Sequence, residues 1–243
     1  MIKVEGIILN IEKYKNADCV FNILTKDKLI PVLGRGTLSL KSKTNKLNHP
    51  FISGEFDLYE GPTKGFKLRD CKIDKYFYNL FSTYEDLMIF NFINELIYKI
   101  VFNSDEFIGY YDTILNFFGR IANKQNLYNS VVDLFIKLLK INGLSLNFNS
   151  CTLCGNENNE EFIGISLENG GVICKKHDYE SNDICVLNKD ELNYLEITFS
   201  NNDVLTNIEL NKDEFLNIIS FLSIFLEKYL DIKLNSLKLL KTI

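Results

Sequence analysis

Two short knuckles, Cys151-Thr-Leu-Cys154 and Cys174-Lys-Lys-His177, stand nineteen residues apart, and no other feature restricts the fold of this chain as much. A Cx2C or Cx2H turn aims two ligand atoms at one point, and two such turns at this separation match the spacing of structural zinc sites. If they meet, the segment between them must fold back on itself. Gly155 follows the first pair and Gly170-Gly171 precede Cys174, where glycine relieves a backbone whose amides turn toward thiolates. Phe162 to Leu167 reads as a short strand beneath the metal. Four protein ligands leave no open position for water or substrate, so one Zn2+ per chain in a structural role is expected. Cys185, eight residues beyond His177, is the reserve fourth ligand should His177 point away.

The other cysteines, Cys19 and Cys71, fall in predicted strands and read as core residues. The opening MIKVEGIILNIEKYK has neither an uninterrupted apolar run nor a small-residue cleavage site, so no signal peptide is expected. The most apolar stretch, Leu87 to Phe102, is broken by Asn91, Asn94, Glu95 and Lys99, too short and too polar to span a bilayer. A cytoplasmic protein is expected, with its thiols reduced and available for metal.

The three prolines, Pro31, Pro50 and Pro62, all lie near the start of the chain. Proline breaks helix interiors, so its disappearance marks a change of architecture. The first part carries five candidate strands: Val4–Ile11, Cys19–Thr25, Leu29–Leu33, Phe51–Tyr59 and Phe66–Ile73, the last after a Gly61-Pro62 turn. With one long connection, Gly34 to His49, they suit a five-stranded OB-type barrel; an SH3-like barrel or an open sheet reads the same way. Helical periodicity then takes over. Ser82-Thr83-Tyr84-Glu85 offers a cap for a first helix bearing Leu87, Phe90, Ile93, Ile97, Ile100 and Val101. Ser104-Asp105-Glu106 opens a second, Asn129 to Lys140 forms a third, and Asn188 and Asn211 open two more. The expected class is α+β multidomain: an OB-fold nucleic-acid-binding domain over residues 1–78, then a helical domain over 79–243 with a zinc module at about 148–187.

Charge divides along the same line. The whole chain has a formal net charge of −5, but residues 1–80 hold 14 of the 27 Lys and Arg against 9 of the 32 Asp and Glu. From Lys26 to His49 there are six basic residues, Lys26, Lys28, Arg35, Lys41, Lys43 and Lys46, against Asp27 alone. On turns and one long loop of a small barrel, such cations replace condensed counterions on phosphates and give salt-sensitive, sequence-tolerant binding. Tyr14, Phe21, Phe51 and Phe66 are the candidate platforms for base stacking, inner and outer faces being indistinguishable in the sequence.

No catalytic constellation accompanies these features. Of two histidines, one belongs to the knuckles, and His49 has no evident nucleophile partner. GxxxxGK[ST], GxGxxG, GxSxG and HExxH are absent, as is the HxE that precedes Cx2C in zinc deaminases. The acidic pairs Asp105-Glu106, Asp190-Glu191 and Asp213-Glu214 sit at predicted helix N-termini, where dipole complementation accounts for them. The chain reads as a non-enzyme; a zinc hydrolase or nuclease is the rival to exclude.

Several stretches in order resemble the bacterial recombination mediator RecO: Val4-Glu-Gly-Ile-Ile8, Ala17-Asp18, Leu24-Thr25, Arg35-Gly36, Lys41-Ser42-Lys43, Pro50-Phe51 and Leu58-Tyr59-Glu60-Gly61, then the knuckles with Gly170-Gly171-Val-Ile-Cys174, and Tyr229-Leu230 with Leu234-Asn-Ser-Leu-Lys-Leu-Leu240. The resemblance implies a DNA repair and recombination function. It implies binding of single-stranded DNA, with duplex DNA a second candidate, and annealing of complementary strands. It also implies action with RecR to help RecA load on strands coated with single-stranded-DNA-binding protein, without a nucleotide cofactor. Lys28, Arg35, Lys41 and Lys43 occupy positions where that family is basic, and Lys46 extends the set. The chain departs from the family pattern in having Thr-Leu-Ser-Leu between Gly36 and Lys41, and His177 where Cys is frequent. The alternative reading is a zinc-stabilised protein-interaction adaptor that does not touch DNA.

Overall fold

A computed structural model describes residues 1–61, 65–177, 183–200 and 208–242. Pro62 of the expected turn and residues 178–182 of the expected zinc module lie outside the described residues. The chain divides into two compact units, residues 1–123 and 124–242.

In the first unit the five strands are β1 (Ile2–Lys13), β2 (Cys19–Leu24), β3 (Leu29–Gly34), β4 (Ile52–Glu60) and β5 (Phe66–Tyr76). They close into a barrel in the order β1-β2-β3-β5-β4. All pairings are antiparallel except β3 with β5, which is the OB-type arrangement; the open-sheet alternative is excluded by closure. Alternation along the strands turns Ile8, Phe21, Ile23, Val32, Phe56 and Leu58 into a dry interior.

Two helices complete this unit, α1 (Tyr84–Phe102) and α2 (Tyr110–Ala122). The first cap is one residue later than expected. Thr83, not Ser82, accepts from the Asp86 amide at 3.0 Å, and the Asp86 carboxylate accepts from the Thr83 amide at 3.0 Å. Along α1, Ile93, Ile97, Ile100 and Val101 are buried as expected, with Ile89, Phe92 and Leu96 beside them, whereas Leu87 is exposed and Phe90 half-buried. Ser104-Asp105-Glu106 does not open α2. The Ser104 hydroxyl donates to the Glu106 carbonyl at 2.7 Å, a local bond that competes with helix, and α2 begins only after Gly109. Aromatic rings join the helices to the barrel: Phe77 stacks on Phe118 at 4.5 Å, and Phe51 lies 5.0 Å from Phe118 and 5.6 Å from Phe90.

The second unit contains α3 (Leu127–Ile141), a small sheet, α4 (Lys189–Ser200), α5 (Lys212–Leu230) and the short α6 (Leu237–Leu240). The expected caps at Asn188 and Asn211 are present: their side chains accept from the Glu191 and Glu214 amides at 2.8 and 3.0 Å. The sheet has three strands, in the order β7 (Gly171–Cys174), β6 (Phe162–Ser166), β8 (Ile184–Val186); of these, only β6 is legible as a strand in the sequence. The Tyr229 hydroxyl on α5 donates to the Leu167 carbonyl at 2.8 Å, and Lys228 pairs with Asp183 at 2.8 Å, so α5 holds the far ends of β6 and β8. The Lys228 ammonium and the Ser166 hydroxyl hold the Asp183 carboxyl below its usual range against the opposing effect of burial.

Candidate functional site

The knuckles meet. One ligand atom from each of Cys151, Cys154, Cys174 and His177 lies within 4.8 Å of every other. Local hydrogen bonds explain how. Gly155, in left-handed backbone at φ 71°, donates to the Cys151 carbonyl at 2.8 Å and closes the first turn. Thr152 donates to the Val172 carbonyl at 2.9 Å, which lays that turn beside β7. Gly170 turns at φ 62°, and a Cβ on Gly171 would stand 2.6 Å from the Asn147 carbonyl oxygen, so only the Gly-Gly pair lets β7 run this close. Cys174 ends β7, and the His177 amide donates to its carbonyl at 3.2 Å.

The geometry fits a tetrahedral thiolate–imidazole site. Cys154 Sγ and Cys174 Sγ are 3.7 Å apart, against about 3.8 Å for the edge of a tetrahedron with metal–sulfur bonds of about 2.3 Å. His177 Nε2 is buried with no hydrogen-bond partner among the described residues, an orphaned polar atom that a metal would satisfy. Burial opposes ionisation of Cys151. The amides of Leu153, Cys154 and Cys174 outweigh it and bring the thiol down to about 6, the Cys174 amide lying 3.4 Å from its sulfur. These four side chains can therefore hold a metal, and the amides supply part of the charge stabilisation that thiolate ligands need. Cys185 lies on β8 outside this cluster, its thiol pushed up by burial. Cys19 is fully buried and Cys71 half-buried against the barrel core.

The basic residues are arranged differently from a single patch. Lys28 is in the β2–β3 turn, whereas Arg35, Lys41, Lys43 and Lys46 follow β3 at its other end, a separation of roughly 20 Å along extended chain. All five are exposed, and none makes an ion pair among the described residues. On β1, by contrast, Lys3 is paired with Glu55 at 2.9 Å and Asp57 at 3.8 Å. The long loop is braced from within. Gly36 donates to Asp18 at 2.7 Å, and Leu38 donates to the Ala17 carbonyl at 2.8 Å. Thr44 joins Thr37 and Ser42 through hydroxyls at 3.2 and 2.9 Å, and Leu47 is fully buried in the barrel core. The Thr-Leu-Ser-Leu departure thus supplies a loop anchor in Thr37 and Leu38, while Leu40 is 93 % exposed.

Two of the four expected stacking rings are misplaced for that role. Phe21 and Phe51 are fully buried, one in the barrel and one against the helices. Tyr14 is exposed, with Lys15 over its ring at 5.2 Å, and Phe66 is half-buried. His49 packs on Tyr78 at 4.4 Å, a contact without a local sequence signal because residues 50 to 77 intervene. No described helix is long and apolar enough to cross a membrane.

A closed five-stranded barrel with a cationic loop, joined in sequence to a helical unit with a cluster of three cysteines and one histidine that could hold a metal, is an architecture of the nucleic-acid-handling class. Residues 82–238 match the family model described as "Recombination protein O C terminal". The chain is 28% identical to the DNA repair protein RecO of Clostridium perfringens (strain 13) over 249 residues, covering 100% of this chain and 98% of that protein. It is 25% identical to the RecO of Lactobacillus delbrueckii subsp. bulgaricus (strain ATCC BAA-365) over 73% of this chain and 71% of that protein. It is 27% identical to that of Lactobacillus acidophilus over 72% and 70%. The chain belongs to the RecO family of DNA repair and recombination proteins.

Proposed function

We propose that this protein is a non-enzymatic recombination mediator that binds single-stranded DNA through its barrel and anneals complementary strands. With RecR, it would help RecA load on DNA coated with single-stranded-DNA-binding protein, in the cytoplasm and on the nucleoid. The observation that carries the reading is the braced loop with Arg35, Lys41, Lys43 and Lys46 exposed and outside any described ion pair. Cations already matched to carboxylates have little to gain from phosphate, whereas unmatched ones release counterions when they bind it. Bracing lowers the ordering cost of binding. Lys28, at the other end of β3, serves as a second contact along a bound strand. Neutralising two strands on such a surface lowers their mutual repulsion and favours pairing. Residues 1–78 are read as the DNA-binding domain and residues 79–243 as the helical domain that receives protein partners.

The metal is read as one Zn2+, held by Cys151, Cys154, Cys174 and His177. Three thiolates and an imidazole are a borderline-soft set suited to zinc, and four protein ligands leave it a structural role. When bound it supplies cross-linking of the two knuckles. The protein's own part is to present the ligands and to donate the Leu153, Cys154 and Cys174 amides to Cys151.

Salt-titrated binding to an unstructured oligonucleotide tests the reading. Arg35→Ala and Lys41→Ala should each weaken binding across sequences and flatten the salt slope by about one unit. Annealing of complementary strands, naked and coated with single-stranded-DNA-binding protein, should fall in parallel. Unchanged binding by the double variant would reject the loop assignment, and no oligonucleotide binding by the wild type would favour the adaptor reading.

A further inference from the structure

The cationic loop ends against a group of rings that phosphate contacts leave unused. His49, at the end of the loop, lies on Tyr78 with centroids 4.4 Å apart, and Tyr78 meets Tyr76 edge-on at 5.9 Å and 82°. His49 is exposed; both tyrosines are half-buried, their bodies packed on the barrel core. Neither tyrosine hydroxyl has a hydrogen-bond partner among the described residues.

The chain is bent to make this arrangement. Phe51 adopts φ 58°, an uncommon and strained region for a bulky residue. The bend buries the Phe51 ring against Phe90 and Phe118, while His49 on the loop side of the bend is left outside. Tyr76 is fixed by pairing with Ile52, and the Phe77 amide donates to the Phe51 carbonyl at 3.0 Å, which places Tyr78 beside the loop end. Lys46 is two residues before Asn48 and close enough to Cys71 on β5 to oppose the rise that burial causes in its thiol. Exposed Lys43 precedes it, and along this part of β5 exposed Lys72 and Lys75 alternate with the carboxylates Asp70 and Asp74. Rings bordered by ammonium groups match unpaired bases on a phosphodiester chain; a duplex offers no base face to them.

We propose that His49, Tyr76 and Tyr78 form a stacking platform for unpaired nucleobases at the foot of the cationic loop. It rests on the single-strand reading of the barrel, and the test separates the two. The chain has no tryptophan, so Tyr78→Trp introduces a single indole while keeping an aromatic face. Titration with an oligothymidylate is expected to quench that indole. An abasic sugar-phosphate oligomer of equal length and charge is expected to bind about tenfold more weakly and leave the emission unmoved. His49→Ala, at an exposed position that does not threaten the fold, should lose about tenfold in affinity for the base-bearing strand, with the abasic strand and the salt slope unchanged. Equal affinity for the two oligomers together with an unquenched indole overturns the platform and leaves phosphate binding standing. Binding of neither oligomer removes both proposals.

Discussion

Single residues carry the candidate metal cluster, and their replacement separates ligation from packing. Cys174 is fully buried at the end of β7, so Cys174→Ser should reduce metal content from one ion per chain to near none, as elemental analysis of the purified protein would read. His177→Cys should retain the ion, because a set of four thiolates binds zinc as well. Loss of metal from both variants would mean that the fourth position demands imidazole. The clustering of these four side chains is legible from sequence because a Cx2C turn is local and its separation from the next turn is a count along the chain. The rings Phe21 and Phe51 are not. Whether a strand residue faces in or out depends on which neighbours close the barrel, and Phe51 further depends on a positive φ that no residue type announces.

Elements are set by their ends. Thr83→Ala should cost about 1 kcal/mol in urea unfolding, whereas Ser82→Ala should be near neutral, since the Thr83–Asp86 box caps α1. The sequence places that cap within one residue because either hydroxyl precedes a carboxylate by three. It misplaces the start of α2 by several residues, because the Ser104–Glu106 bond and Gly109 are cues that only tertiary packing ranks. Strands β7 and β8 are illegible for a related reason: three or four residues carry too little periodicity, and their pairing follows from the knuckles and from α5. Tyr111 on α2 donates to Glu5 on β1 at 3.3 Å. Burial, then the Glu5 carboxylate, raises its phenol from the usual 10 to about 12. A folded value above the unfolded one gives a contribution that is whole below pH 10 and lost as pH rises through about 12. Unfolding midpoints should therefore decline over that window, and Tyr111→Phe should flatten the decline.

Across the whole molecule the chemistry is divided between two compact units. The loop cations belong to residues 1–123, and the metal cluster belongs to residues 124–242. A net charge of −5 therefore describes neither unit's chemistry; the basic excess read from the sequence belongs to residues 1–80, and six Asp and Glu against two Lys and Arg between residues 81 and 123 nearly cancel it within the first unit. The β6–β7–β8 sheet is small, with strands of five, four and three residues, so a metal bound at the cluster would contribute folding energy to that unit. The barrel is closed by its own strands and needs no such term. Chelation should accordingly remove a thermal transition, or lower it by several degrees, and should expose the segment between the knuckles to protease. On the proposed loop assignment, single-strand affinity at fixed salt should meanwhile stay within about twofold, because the exposed loop cations remain in place. If affinity collapsed together with the metal, the phosphate contacts would have to be reassigned from the loop to the helical unit.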